Sequence, residues 1–366
     1  MKNKFVTKAV AGVLSLAMVC TMTTVAPTDA YAKAKKSVTV TTQKQLNKAL
    51  KDKSVKSIVI QTTKARSFKI KDVDYGKKSL VVNAPKSNVS NAGDFKKITI
   101  KDGKKFTERG EENVFIVKDE NKLNLNVAKG SFDSAITVAS DGKGITIGGS
   151  GDIDFIRVNG KADLTVNGEG DCKPDILVYG EAKLSVSSRS EIFLYTNADL
   201  AVTGDVGNIT VLADANISVA NGASVYGLQI DDGAAKVSIK NDGAIESLVL
   251  DAKADVSITG NSTNTIPLES NVKGATVISD CKLDVKLNAD TAITLNKGAE
   301  GSSVKFGSKD VKASVDNKTS AKVEVTDASG NKSNVDTGKV FTGSTSGSTG
   351  GSTGGSTGGS TGGSTG

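Results

Sequence analysis

No histidine and no tryptophan occur among the 366 residues, and cysteine and methionine number only three each. Four prolines, five tyrosines and ten phenylalanines complete the scarce residues. Without histidine the chain holds no Ser-His-Asp or Cys-His catalytic set, no histidine-bound zinc and no haem on histidine. Beyond Cys20, only Cys172 and Cys281 remain, too few for a zinc ribbon or a four-cysteine iron–sulfur site. The lack of tryptophan removes the best flat platform for sugars and cations. Past the first residues no run is apolar enough to span a bilayer as a helix. What remains is Val, Ile, Leu, Gly, Asn, Asp, Ser, Thr and Lys, mostly strand and turn formers.

The two ends differ from the middle. Lys2, Lys4 and Lys8 precede an apolar stretch from Ala9 to Val19, and Ala30-Tyr31-Ala32 makes a small-x-small cleavage site. Residues 1–32 are therefore expected to be a secretory signal peptide, with Ala32-Lys33-Ala34 as a second cleavage option. Residues 342–366 settle into a Gly-Gly-Ser-Thr repeat, expected to act as a flexible tail. Export places the mature chain outside the cell, secreted or on the cell surface.

Charge divides the middle. Residues 33–118 carry 22 Lys/Arg against 8 Asp/Glu, a net +14, whereas from Asp119 onward the count is 22 against 31, a net −9. A basic segment, 33–118, thus precedes an acidic one, 119–341. The basic side chains are nearly all lysine, with only Arg66, Arg109, Arg157 and Arg189. Base and phosphate readers of nucleic acids lean on arginine and aromatics. The excess suits an anionic envelope polymer or membrane surface better than nucleic acid, or else is a solvated lysine surface. Lys96, Lys97, Lys101, Lys104 and Lys105 are the candidate contacts to such a polymer.

Self-similarity is the strongest signal. Six segments repeat one phrase: two apolar residues flanking a variable one, a short gap, Ala, a variable residue, then apolar-small-apolar. The first reads Ile156-Arg157-Val158 … Ala162-Asp163-Leu164-Thr165-Val166, and the last Leu248-Val249-Leu250 … Ala254-Asp255-Val256-Ser257-Ile258. A weaker copy, Ile136-Thr137-Val138 … Ile145-Thr146-Ile147, precedes them, and equivalent residues at Ile145, Leu164, Leu184, Leu200, Ile217, Val237 and Val256 recur about every 18 residues. Period-two alternation means strand, and two short strands per repeat, never reversed in order, mean one coil of a β-solenoid. About twelve coils, roughly 60 Å long, are expected from Phe115 to Val340 at ~4.8 Å per coil. The Ala of each phrase is expected at a buried corner. Cys281-Lys282-Leu283-Asp284-Val285 fits the second half of the phrase, with Cys281 as a small buried residue, and Cys172 is about six coils away, too far for a disulfide. Thr42-Gln43-Lys44-Gln45 reads as a capping box, followed by Leu46, Ala49 and Leu50 on one face of a short helix that caps the first coil.

Several stretches carry a family resemblance. Val38-Thr39-Val40-Thr41-Thr42 through Leu46, Ala49-Leu50 and Ser57-Ile58-Val59-Ile60 resembles the start of bacterial pectate-lyase-like adhesive domains. Leu80-Val81-Val82-Asn83-Ala84-Pro85, Asn91-Ala92-Gly93-Asp94-Phe95 and Ile98-Thr99-Ile100 resemble uncharacterised surface proteins of gut Clostridia. The resemblance implies an all-β, right-handed parallel β-helix with a short N-terminal capping helix, in a secreted protein of a Gram-positive bacterium. That fold hosts lyases, hydrolases and adhesins alike. Pectate lyases of the superfamily bind calcium through clustered acids and use an arginine as base. Asp231, Asp232 and Asp251 are the acids here that offer a calcium site, although turn formation also explains them, and no arginine falls beside them in the repeat.

If the flanking apolar residues point inward, the residues between and just after them point outward. That outward strip is apolar and aromatic over three coils: Leu177, Tyr179, Phe193, Tyr195 and Leu212. The matching second-strand positions are polar, and Asp163, Lys183, Asp199, Asn216, Lys236 and Asp255 read as a solvated ladder. The strip is the candidate ligand site. The composition favours an adhesin-like binding or scaffold protein for a glycan, cell-envelope polymer or surface protein over an enzyme. A calcium-dependent pectate-type polysaccharide lyase is the alternative.

Overall fold

The computed structural model describes residues 36–343 except 120, 140 and 171. The expected leader, 1–32, and the tail beyond 343 lie outside the described residues. The chain opens with β1 (Lys36–Val40), α1 (Gln43–Lys51), β2 (Val55–Gln61) and β3 (Ser67–Ile70). Thr42 is extended at the N-cap, as the capping box predicts. Its hydroxyl accepts the Gln45 N–H at 3.3 Å, and the Gln45 side chain accepts the Thr42 N–H at 3.2 Å. Leu46, Ala49 and Leu50 are buried under the first coil.

α1 also seals an edge. β3 is the first strand of its stack, so its outer backbone groups have no strand to pair with. The Gln43 amide takes that place: its NH2 donates to the Lys69 carbonyl at 2.8 Å and its oxygen accepts the Lys69 N–H at 2.8 Å. One side chain thus mimics a strand residue.

From there the chain winds into a parallel β-solenoid of about 15 turns, and α1 is the one helix among the described residues. Two ladders run its length. The first stacks β1, β2 and then one strand per coil, including Val114–Val117, Ile153–Val158, Asp175–Val178, Ile192–Leu194, Asp205–Val211 and Ser224–Ile230. The second starts at β3 and includes Asp163–Gly168, Lys183–Val186, Ala198–Val202, Ala215–Val219 and Lys236–Asn241. From Val114 to Thr326 the first ladder holds twelve strands, the number the repeat length implies. Between residues 150 and 260 every strand pairing is parallel. Both ladders pass residues 118 and 119 without a break, so the boundary there is one of charge. The last coil ends differently: Ala313–Asn317 pairs antiparallel with Lys339–Gly343, and Val323–Thr326 antiparallel with Lys332–Val335. These hairpins fold the chain back over the final open edges.

Inward positions form columns of like residues. Ile156, Ile176, Ile192, Ile209, Leu228 and Leu248 stack in one, and Leu164, Leu184, Leu200 and Ile217 in another, all buried. Two register expectations fail. Ile217 pairs with Ile239 and Ala215 with Val237, two residues from the spacing expected of the phrases. The turn Asp231-Asp232-Gly233 takes up the extra length. As a result Ala234 is the buried corner and Ala235 is exposed. Leu283–Leu287 joins the first ladder, not the second, although Cys281 is buried as expected. Cys172 and Cys281 are both free and buried.

Gly233 sits at φ +115°, and a Cβ there would meet the Leu212 carbonyl oxygen. Gly222 has φ +80° with open space around it. Gly222→Ala should therefore cost only the left-handed backbone penalty, about 1 kcal/mol, and Gly233→Ala at least about twice that. Equal losses in urea melts of the two variants would contradict the close packing of this turn.

Candidate functional site

The outer face of the first ladder carries two parallel columns. Thr137, Arg157, Leu177, Phe193, Thr210, Gln229 and Val249 pair in register mid-strand, each between two inward apolar residues. The second column lies two residues further along the chain on each coil. Its backbone N–H groups continue the ladder: Tyr179 donates to the Val158 carbonyl at 2.8 Å, Tyr195 to Val178 at 2.9 Å and Leu212 to Leu194 at 2.9 Å. The five strip residues read from the sequence therefore do lie side by side.

In-register stacking forces these side chains onto one another. The Tyr179 and Tyr195 rings are parallel within 2°, their centroids 4.6 Å apart. Phe193 lies 6.5 Å from Tyr195 at 19°, and the Arg157 guanidinium sits 5.3 Å from the Tyr179 centroid. The order along the axis is Arg157, Tyr179, Tyr195, Leu212. Each ring pair and cation–π contact is worth about 0.5–1.5 kcal/mol. Leu177 is buried, and Tyr195 keeps 36% of its surface exposed. Partial burial, then the charge and hydrogen bond of Tyr179, hold the Tyr195 phenol above its ordinary range, while Arg157 pulls the other way. Among the described residues four buried side-chain polar atoms lack a hydrogen-bond partner, and two are here: Arg157 Nε and Thr196 Oγ1, next to Tyr195. Arg157 makes no ion pair among the described residues.

Beyond Leu212 the same column turns polar. Asp231 accepts the N–H of its neighbour Asp232 at 2.7 Å. Both oxygens of Asp251 are taken, one by the Gln229 amide and one by the Asn271 amide, each at 2.9 Å. The three acids thus do not converge, and no group of three or more Asp, Glu or Cys with metal-binding geometry occurs among the described residues.

The five lysines are exposed but divided. Their strand, Asp94–Glu108, turns a corner at Asp102 and Gly103. Lys97 and Lys101 flank the outer face of the first ladder, Lys105 belongs to the second, and Lys96 and Lys104 lie at the corners. On the second ladder Asp163, Lys183, Asp199 and Asn216 do stack, and Asn216 donates to Asp199 at 2.8 Å. The expected continuation to Lys236 fails, because Asn216 pairs with Ser238 after the register shift.

No family model, no curated protein and no solved structure matches this chain.

Two features were not visible in the repeat phrase. Tyr226 is 65% exposed beside a groove of about 430 Å³ lined by Asn208, Thr210, Gln229 and Glu246, which extends the strip's face. It precedes its phrase by two residues, so the pattern skipped it. Glu108 is fully buried in an inward position where the alternation calls for an apolar residue. Asn91 donates to both its oxygens at 3.1 Å, Asn113 to one at 3.1 Å, and the N–H groups of Arg109 and Gly110 complete the cage. Burial pushes this carboxyl up to about 7, against the opposing pull of those hydrogen bonds.

The sign of its effect follows. Glu108 ionises at 4.5 when unfolded and at about 7 when folded. Its contribution to stability is fully present below the lower value and is lost as pH rises through the higher. The melting temperature of the wild type should fall more between those two pH values than that of Glu108→Gln, which cannot titrate. Parallel pH profiles for the two proteins would contradict this.

Proposed function

We propose that the chain is a secreted cell-surface protein of adhesin type that binds an envelope or extracellular glycan on the outer face of its first ladder. The observation that carries this reading is the Arg157–Tyr179–Tyr195 stack. Flat rings held rigid and half exposed suit the apolar face of a sugar ring, and an adjacent guanidinium with an unmet donor suits its oxygens. Holding such a stack exposed costs solvation, which a ligand would recover. The groove beside Tyr226, with its polar walls, lengthens the same surface. Binding fits the face better than cleavage, because Asp251 at its polar end already has both oxygens engaged, by Gln229 and Asn271.

The secreted protein should retain glycans on an array, and Tyr179→Ala or Tyr195→Ala should weaken retention about tenfold or more, with Lys183→Ala on the second ladder as the silent control. Retention unchanged in both tyrosine variants would contradict the site. Unsaturated oligouronides released from pectate with calcium would contradict the binding role.

A further inference from the structure

Lys101, one of the cationic candidates, shares one column with Tyr179 and Tyr195, remote from it in the sequence. Lys101 follows Ile100, and the Lys118 N–H donates to the Ile100 carbonyl at 2.7 Å, which stacks Lys118 on Lys101. Ala139 bonds to Val117 at 2.8 Å and Asn159 to Val138 at 2.9 Å, and Tyr179, Tyr195 and Leu212 continue the series. Lys101 and Lys118 are exposed and, like Arg157, make no ion pair among the described residues. On this face, among the described residues, the coil between those of Lys118 and Arg157 presents the small side chains Thr137 and Ala139, and Arg157 stands on the neighbouring mid-strand column, beside Asn159, with its guanidinium near the Tyr179 ring.

We propose that this column binds a linear polymer bearing oxyanions, laid along the solenoid axis. Its anionic groups sit over Lys101, Lys118 and Arg157, and the apolar face of its chain rests on Tyr179 and Tyr195. The inference rests on the binding role proposed above and adds the ligand's charge and direction. Three features support it. Lys101 to Tyr195 is five coil steps, roughly 24 Å at ~4.8 Å each, so only an extended ligand touches both ends. Arg157 Nε is desolvated without an acceptor, and an oxyanion supplies one with charge assistance. Past Leu212 the column presents Asp231 and Asp251, whose charges repel an anion and set the far limit of the track. Carboxylate and phosphate share this chemistry.

Three probes separate the cases by titration calorimetry: hyaluronan as a carboxylate polymer, poly(glycerol phosphate) as a phosphate polymer, and dextran as a neutral one. At least one polyanion should bind, more weakly as salt rises. The stronger of the two identifies the anion. Arg157→Gln and the pair Lys101→Gln with Lys118→Gln should each weaken binding about tenfold or more, while the pair Lys104→Gln with Lys105→Gln should change it less than about twofold. Arg157→Lys, which keeps charge but loses the planar fork, should fall between wild type and Arg157→Gln. Unchanged melting curves would show the variants folded. The inference is overturned if neither polyanion binds, or if Arg157→Gln binds like wild type. Dextran bound through Tyr179 and Tyr195 but indifferent to Arg157 would leave the glycan-binding role standing and remove the anionic ligand.

Discussion

A coil of about 18 residues turns only about four apolar side chains inward, and their burial does not offset the entropy lost in ordering the coil. Each coil is therefore stable only against its neighbours, and the whole molecule depends on parallel, in-register pairing between them. The same dependence explains the two ends. At one, Gln43 supplies the hydrogen bonds that a missing coil would have made to Lys69. At the other, the chain reverses and pairs antiparallel with its own last strands. An open coil edge at either end would invite another chain to pair with it.

Registration of the core has a consequence outside it. Once inward residues are stacked in columns, outward residues are stacked in columns too, at the same spacing. Tyr179 and Tyr195 lie parallel because Val158, Val178 and Leu194 behind them are in register. Surface chemistry can then change along one straight line without changing the fold. The column after the first-ladder strands runs from lysine through tyrosine to aspartate and amide, over backbone that stays the same. Such a line is a rigid ruler for an extended ligand, and ordering it on binding costs the protein little.

Much of this was legible in the sequence, because alternation and a repeat of two strands leave few other architectures. The capping box, the repeated two-strand phrase, the burial of Cys281 and the neighbourhood of the five strip residues all follow from local pattern. The misses share a physical cause. Period-two alternation is unchanged by a slip of two residues, so Val237 and Ile239 fit Ile217 equally well until the Asp231-Asp232-Gly233 turn is built. Both ladders obey the same inward–outward rule, so Leu283-Asp284-Val285 could not be assigned between them. Glu108 breaks the alternation openly, yet only the structure supplies Asn91 and Asn113, which make its burial tolerable. Arg157 was placed outward by pattern alone. That its guanidinium leans over the ring of the next coil is a matter of side-chain direction, on which the alternation is silent.

Lys101 and Leu212 stand on one straight column of stacked coils, six steps apart. Spin labels at Lys101→Cys and Leu212→Cys, with Cys20, Cys172 and Cys281 replaced by alanine, report their separation by pulsed dipolar spectroscopy. Six coil steps of ~4.8 Å predict a single narrow distribution centred near 29 Å, broadened only by the label arms. A broad distribution, or a separation half as long again, would contradict the stacked register on which the binding column rests.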